Sequence, residues 1–231
     1  MIAGLPYDAE VEYLESTGTQ YINTLVSLDS DDVVTLKGSL ANRNSFFGVF
    51  RSDGTSFNLT GTGSNSMFRY GTYHPSTATS LNVPYVFECG NGDFSVDGNL
   101  VFNSSQSFTG VTNCTLFARN SAATTSSLQI SDYLQGKIYW LQIKKAGVLV
   151  RDFIPVRLTN EIGQSEGAMY DRVSRKLFRN KGTGSFVIGP DVATPVIGLH
   201  FMKSSLWKNP YVTDGLVAMW DGKWNAGGGD A

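Results

Sequence analysis

The chain has 231 residues, with Lys+Arg 18 against Asp+Glu 20 and a formal net charge of −2; 16% of its residues are charged, 12% are aromatic and 25 are Gly. The low charge and high Gly content exclude a long helical bundle, which needs far more Glu, Lys and Ala, and a disordered chain would not carry 41% hydrophobic residues. Nucleic-acid binding through a broad basic field is excluded as well, because a near-neutral chain has little counterion release to offer.

What remains is the profile of an antiparallel β-fold, and the chain bears it out from its first third onward. The opening, residues 1–8, has no basic stretch followed by an apolar run, so it does not read as a secretory signal. Either a signal has been removed or the protein reaches its site without one. No segment approaches the roughly 20 apolar residues of a membrane span. Asp29, Ser30, Asp31 and Asp32 form the one acidic cluster. Residues 45–50 read as a strand, and Ser52-Asp53-Gly54-Thr55 turns the chain toward Phe57 and Leu59. Residues 85–89 stop at Gly90-Asn91-Gly92, Phe94 and Val96 share one strand face, and Asp97-Gly98-Asn99 leads into residues 100–102. Asp-Gly suits a tight hairpin because such a turn needs positive φ. A third hairpin joins residues 138–143 to 148–150 through Lys144-Lys145-Ala146-Gly147. Short strands so closely punctuated predict a two-sheet sandwich or a barrel.

Residues 156–180 are the most charged stretch and read as an extended, loop-rich arm, with room for one helical turn from Glu161 to Glu166. Pro155 argues against a central strand running through that point. After Pro210, residues 215–220 read as a lone strand, followed by a Gly-rich tail. The expected division is residues 1–192 as a β-sandwich and 193–231 as a linker and terminal strand. That strand completes the sandwich, contacts another subunit, or opens a second, truncated module. Cys89 and Cys114 read as buried free thiols rather than a pair. The sequons at Asn58, Asn103 and Asn113 read as coincidence in a Ser/Thr-rich chain.

Residues 11–22, Val-Glu-Tyr-Leu-Glu-Ser-Thr-Gly-Thr-Gln-Tyr-Ile, together with Ser95-Val96-Asp97-Gly98-Asn99 and Gly136-Lys137-Ile138-Tyr139, carry a family resemblance. So do residues 150–156, Gly167-Ala168-Met169-Tyr170-Asp171, and Phe178 through Phe186. Over residues 9–192 the chain resembles the laminin-G-like branch of the concanavalin A-like lectin/glucanase superfamily, in the form found in phage tail or virion proteins and gut bacterial surface proteins. The resemblance implies an all-β, two-sheet antiparallel jelly-roll-like sandwich. It implies function less narrowly, since that fold hosts lectins, hydrolases and structural modules.

The chemistry of the chain favours binding over catalysis. A glycosidase needs two carboxylates across the scissile bond, and the Glu-x-Asp-x-x-Glu pattern of the superfamily's glucanases does not occur. Glu10/Glu12 and Glu161/Glu166 read as solvated carboxylates. His74 and His200, the two histidines, adjoin no Gly-x-Ser-x-Gly elbow. With two cysteines at long spacing they form no zinc signature. Asp29, Asp31 and Asp32 are candidate calcium ligands, although a turn explains them without metal. Gly61-Thr62-Gly63 and Gly182-Thr183-Gly184 read as turns.

Sugar binding needs only an aromatic ring for a pyranose face and polar groups for its hydroxyls. The candidates are Arg51, Arg69, Tyr70, Tyr73 and His74, which the resemblance would place near one sheet face. The densest mixture is Phe68-Arg69-Tyr70-Gly71-Thr72-Tyr73-His74, although an ordinary strand would set Phe68 and Tyr70 opposite Arg69. Trp140 is either an outward platform or, by its alternation with Tyr139 and Leu141, half of a core pair. Trp207, Trp220 and Trp224 read as packing or assembly residues. The expected role is therefore non-catalytic, lectin-like attachment to a surface glycan or polysaccharide on a phage particle or bacterial surface. The alternatives are a structural virion or fibre module with protein partners, including further copies of this chain, and a glycoside hydrolase.

Overall fold

The computed structural model describes residues 5–192, except Arg43, Thr62, Gly63, Thr125, Ser126 and Glu161. They belong to one compact unit, Met1–Val192. The second unit, Ala193–Ala231, lies outside the described residues. The expected strand at 215–220, His200, Trp207, Trp220 and Trp224 lie there too. Of the expected helical turn at 161–166 only Glu161 is outside the described residues, and the rest is corrected to a non-helical turn leading into a strand that begins at Ser165.

Among the described residues there is no helix. The strands are β1 (Ala9–Glu10), β2 (Leu14–Thr17), β3 (Ile22–Ser27), β4 (Val33–Leu40), β5 (Ser45–Val49), β6 (Phe57–Gly61) and β7 (Asn65–Tyr70). Next come β8 (Ser76–Ala78), β9 (Tyr85–Gly90), β10 (Asp93–Val96), β11 (Asn99–Asn103), β12 (Asn113–Leu116) and β13 (Arg119–Asn120). The last are β14 (Ile130–Ser131), β15 (Gln135–Lys145), β16 (Val148–Thr159), β17 (Ser165–Asp171), β18 (Lys176–Arg179) and β19 (Val187–Ile188).

They form two sheets that pack face to face. The larger runs β11-β10-β9-β4-β15-β16-β17-β18, with β1 on β16 and β2 joining β15 to β19. The smaller runs β14-β13-β5-β6-β7-β8, with β12 bridging β3 and β5. All pairings are antiparallel apart from short parallel contacts of β13 and Tyr133 with β5. The fold is thus the expected all-β sandwich of two antiparallel sheets.

Alternation builds the core between them. In β4 the buried Val34 and Leu36 alternate with half-exposed Val33, Thr35 and Lys37; in β7 Phe68 and Tyr70 alternate with Met67 and Arg69. Phe46, Phe47, Phe57, Phe68, Phe87, Phe94 and Phe153 fill the interior with Leu14, Ile138, Leu141 and Ile143. Much of the aromatic share is therefore core. The ring pair Phe57–Phe68 meets edge to face at 5.1 Å, a geometry that the ring quadrupole favours.

The expected hairpins form where the local chemistry demanded them. Asn91-Gly92, Asp97-Gly98 and Ala146-Gly147 each place two successive residues at positive φ, as a two-residue type I′ turn requires. The Ser-Thr-Gly-Thr-Gln run closes a different turn. Buried Gln20 accepts from Ser16 Oγ and from the Thr17 N–H, both at 2.9 Å, and its Nε2 donates to the Ser185 carbonyl at 3.1 Å. That amide ties the start of the sandwich to its last segment.

Two expectations are corrected. Residues 156–180 are not a loop-rich arm: β16 runs on to Thr159, and β17 and β18 follow as a hairpin that extends the larger sheet. Pro155 lies inside β16, paired with Met169 of β17. It is tolerated because its backbone faces two-residue β1, where its carbonyl accepts from the Val11 N–H at 3.0 Å and the ladder ends. A missing N–H on that side costs no central ladder bond.

Candidate functional site

The expected sugar platform at 68–74 does not form one surface, because the period-two pleat divides it. Phe68 and Tyr70 point into the core. Tyr70 is only 2% exposed, and its hydroxyl donates to the Ser30 carbonyl at 2.6 Å, so it is a packing residue rather than a ligand contact. Gly71, at φ 59°, turns the chain so that Tyr73 pairs with Tyr70. Tyr73 leans to the rim against Phe102, at 5.4 Å between centroids. There it lines a cavity of about 630 Å³ with Phe102, Asn103 and Gln106. Arg69 and His74 point the other way, and Arg69 Nη1 donates to His74 Nε2 at 3.3 Å. Partial desolvation, then the neighbouring Arg69 charge, hold His74 below its ordinary value.

Arg51 stands apart from both groups. Its guanidinium pairs with Asp53 at 2.5 Å and donates to the Ala122 carbonyl at 2.9 Å. Asp53 in turn accepts from the Thr55 N–H and hydroxyl. Arg51 and Thr55 together hold the Asp53 carboxyl far below the usual carboxylate range. Arg51 therefore fastens its own turn.

The calcium candidates are also accounted for internally. Carboxylate atoms of Asp29, Asp31 and Asp32 lie within 4.8 Å of one another, but an ammonium sits among them. Lys145 Nζ donates to Asp32 at 2.7 Å, Asp29 at 3.0 Å and the Ser27 carbonyl at 2.8 Å. Asp29 also accepts from the Gly110 N–H, and Asp32 from the Asp29 N–H. Lys145 takes the position a cation would need, and Asp31 is left exposed at the edge.

Trp140 belongs to a more developed site, on the outer face of the larger sheet. The alternation that favoured a core position is broken by a bulge. Ile138 pairs with Gly38 of β4, yet Trp140 pairs with the very next residue back, Lys37. Ile138 and Leu141 are both fully buried, so Tyr139 and Trp140 are both turned outward and remain half-buried. On its other side β15 pairs with β2 through Ile138 and with β16 from Leu141. The two aromatic residues therefore sit at a fork, where one neighbouring strand is exchanged for another.

A cavity of about 670 Å³ opens over this fork, lined by Glu10, Glu12, Lys37, Tyr139, Trp140, Gln142, Asp152 and Arg172 among others. Its polar groups are positioned by the sheet. Gln142 is the register partner of Asp152 and donates to it at 3.1 Å. Arg172 donates to the other Asp152 oxygen at 2.9 Å. Glu10 accepts from the Tyr7 hydroxyl at 3.1 Å, and burial, then the Glu10 charge, push that phenol up to about 12. Lys37 Nζ stands 5.2 Å from the Tyr139 ring centroid. Tyr139 meets Tyr13 edge to face at 5.6 Å, which fixes its ring.

This is an open depression with two aromatic groups and several fixed donors and acceptors. Such a surface suits a hydroxyl-rich ligand with an apolar face. Of its lining, the sequence reading singled out Trp140, and Glu10 and Glu12 only as solvated carboxylates. Lys37, Tyr139, Gln142, Asp152 and Arg172 had no local signal, because long-range pairing alone assembles them. No protein-family model and no curated protein matches the chain. Among the described residues, no helix is long and apolar enough to cross a membrane.

Proposed function

We propose that this chain is a non-catalytic, lectin-like module that attaches to a surface glycan, as part of a phage particle or a bacterial surface. The observation that supports this reading best is the bulge that turns Tyr139 and Trp140 outward together over a polar depression. A pyranose lays its apolar face on the indole, and Gln142, Asp152, Arg172 and Glu12 bond its hydroxyls. The Asp152 carboxylate is already engaged by Gln142 and Arg172, which suits a hydrogen-bonding role more than a nucleophile's. The virion or cell-surface setting rests on the resemblance carried by residues 11–22 and 95–99.

A glycan array tests the reading, followed by titration of the best glycan into wild type, Trp140→Ala and Tyr139→Ala. Binding that falls about tenfold or more in Trp140→Ala is expected, since stacking and its burial are worth about 1.5 kcal/mol or more. Binding that survives both substitutions, or none across the array, overturns it. Release of reducing sugar from the bound polysaccharide would replace attachment with hydrolysis.

A further inference from the structure

The outer face of the smaller sheet carries a cationic arrangement that the fold itself does not use up. Phe50 follows β5, and guanidinium groups from both flanks converge on its ring. Arg119 of β13 stands 4.4 Å from the centroid and Arg69 of β7 stands 4.9 Å from it. Arg119 is neutralised by Asp132 at 3.0 Å and donates to Ser131 Oγ at 3.1 Å. Arg69 has no carboxylate partner among the described residues; its one side-chain hydrogen bond there goes to His74. Burial, then the nearby Arg119 charge, push Arg69 below its ordinary value, and Asp132 offsets part of this from a distance.

Two buried polar atoms on the same cross-strand pair add to this. Arg69 Nε is a donor without an acceptor. Asn58, paired with Arg69 across β6 and β7, is fully buried. Its Nδ2 donates to the Phe47 carbonyl at 2.7 Å, which fixes the amide's orientation, and its Oδ1 has no donor. Buried groups are left unsatisfied at a cost. An orphan donor and an orphan acceptor on one cross-strand pair, with a guanidinium that hydrogen-bonds to no carboxylate among the described residues, are the complement of an oxyanion with a neighbouring hydroxyl.

We infer that Arg69, with Arg119 and Asn58, forms a second site that binds the carboxylate of a uronic acid in an acidic glycan. The carboxylate pairs with the guanidinium groups, and the adjacent sugar hydroxyl donates to Asn58 Oδ1 while accepting from Arg69 Nε. Both orphan atoms are covered in the fold, so the ligand reaches them as the Arg69 side chain swings off Phe50. Inorganic phosphate also offers an oxyanion and a hydroxyl donor; the uronate is favoured because the glycan reading above supplies it, and the phosphate arm of the titration below separates the two. The inference shares the glycan reading above but rests on the opposite sheet and on different residues.

Calorimetric titration with trigalacturonate, its methyl ester and inorganic phosphate tests it, using the full chain as wild type, Arg69→Gln, Arg119→Gln and Trp140→Ala. Trigalacturonate is expected to bind wild type and Trp140→Ala equally and to weaken about tenfold in Arg69→Gln, the value of one charge-assisted contact. The methyl ester is expected not to bind. Unchanged affinity in Arg69→Gln, equal binding of the ester, or phosphate binding as tightly as the uronate overturns the assignment. A thermal midpoint for Arg69→Gln within a few degrees of wild type separates loss of the site from loss of the fold. Failure at Trp140 alone would sink the attachment site above and leave this one standing.

Discussion

Ile138 and Leu141 both reach the core although they are three residues apart on one strand, and the extra residue between them is what exposes Trp140. The two neighbours should therefore respond oppositely to truncation. Leu141→Ala removes a fully buried side chain and is expected to cost about 2–5 kcal/mol, read as a lower urea midpoint. Trp140→Ala is expected to cost less stability while weakening, about tenfold or more, the binding of the glycan held over Trp140. Deleting Tyr139 removes that extra residue and leaves Ile138 and Leu141 inward with Trp140 alone outward, so strict alternation returns. That deletion should therefore cost less stability than Leu141→Ala, read on the same urea midpoint.

The Lys145 ammonium joins the β15–β16 hairpin to the Asp29–Asp32 turn, and Asp32 is only 1% exposed. Lys145→Met leaves that carboxylate buried without its cation, at an expected cost of about 2 kcal/mol or more after allowing for the partly exposed Lys145 and Asp29. Burial opposes the charge on Lys145, but Asp32 and Asp29 outweigh it and raise its pKa above 10.5. Burial likewise opposes the Asp29 charge, but the Gly110 N–H and Lys145 outweigh it and lower its pKa below 3.8. The lysine's contribution is thus complete below its unfolded value and fades as the pH rises through its raised folded value. That of Asp29 is complete above its unfolded value and fades as the pH falls through its lowered one. The stability gap between wild type and Lys145→Met should be widest between those limits and shrink in acid. A chelator should leave the wild-type midpoint unchanged, since an ammonium, not calcium, balances these carboxylates; a chelator-induced drop would contradict this.

How far the sequence was legible follows the range of the interactions. The hairpins at Asn91-Gly92, Asp97-Gly98 and Ala146-Gly147 depend on two adjacent residues, and they form as read. The division of residues 68–74 was also readable, since strict alternation sets Arg69 opposite Phe68 and Tyr70; density of polar and aromatic residues was the poorer guide. Pro155 misled because its effect depends on which neighbour its backbone faces, and β1 lies far away in sequence. The outward turn of Trp140 depends on β4, β2 and β16 at once. No window around residue 140 contains that information.

Cys89 and Cys114 are both free and fully buried. Burial, and for Cys89 also the Glu88 charge, pushes each thiol above its ordinary value. Since the thiolate is the reactive form, neither should react with an aromatic disulfide reagent in the native state. Both should react once the chain unfolds in denaturant, at a rate that tracks unfolding. Prompt labelling of either native thiol would show that its strand opens locally.

Gly48 and Gly98 separate two reasons for a glycine. At Gly98, φ is +78° and an added Cβ meets nothing within 4 Å, so Gly98→Ala should cost only the left-handed backbone, about 1–2 kcal/mol. At Gly48, φ is +138° and the Cβ would fall 2.4 Å from the Phe57 carbonyl oxygen and 2.5 Å from Asn58 Cα. Both are main-chain atoms of the adjacent strand and cannot rotate away. Gly48→Ala must push β5 from β6 beside the Asn58–Arg69 pair, and should cost about 4 kcal/mol or more, in the range reserved for core disruption. Comparing the urea midpoints of the two variants measures the difference directly. Equal losses would mean that β5 and β6 can separate freely, which the buried Phe47 and Phe57 beneath them argue against.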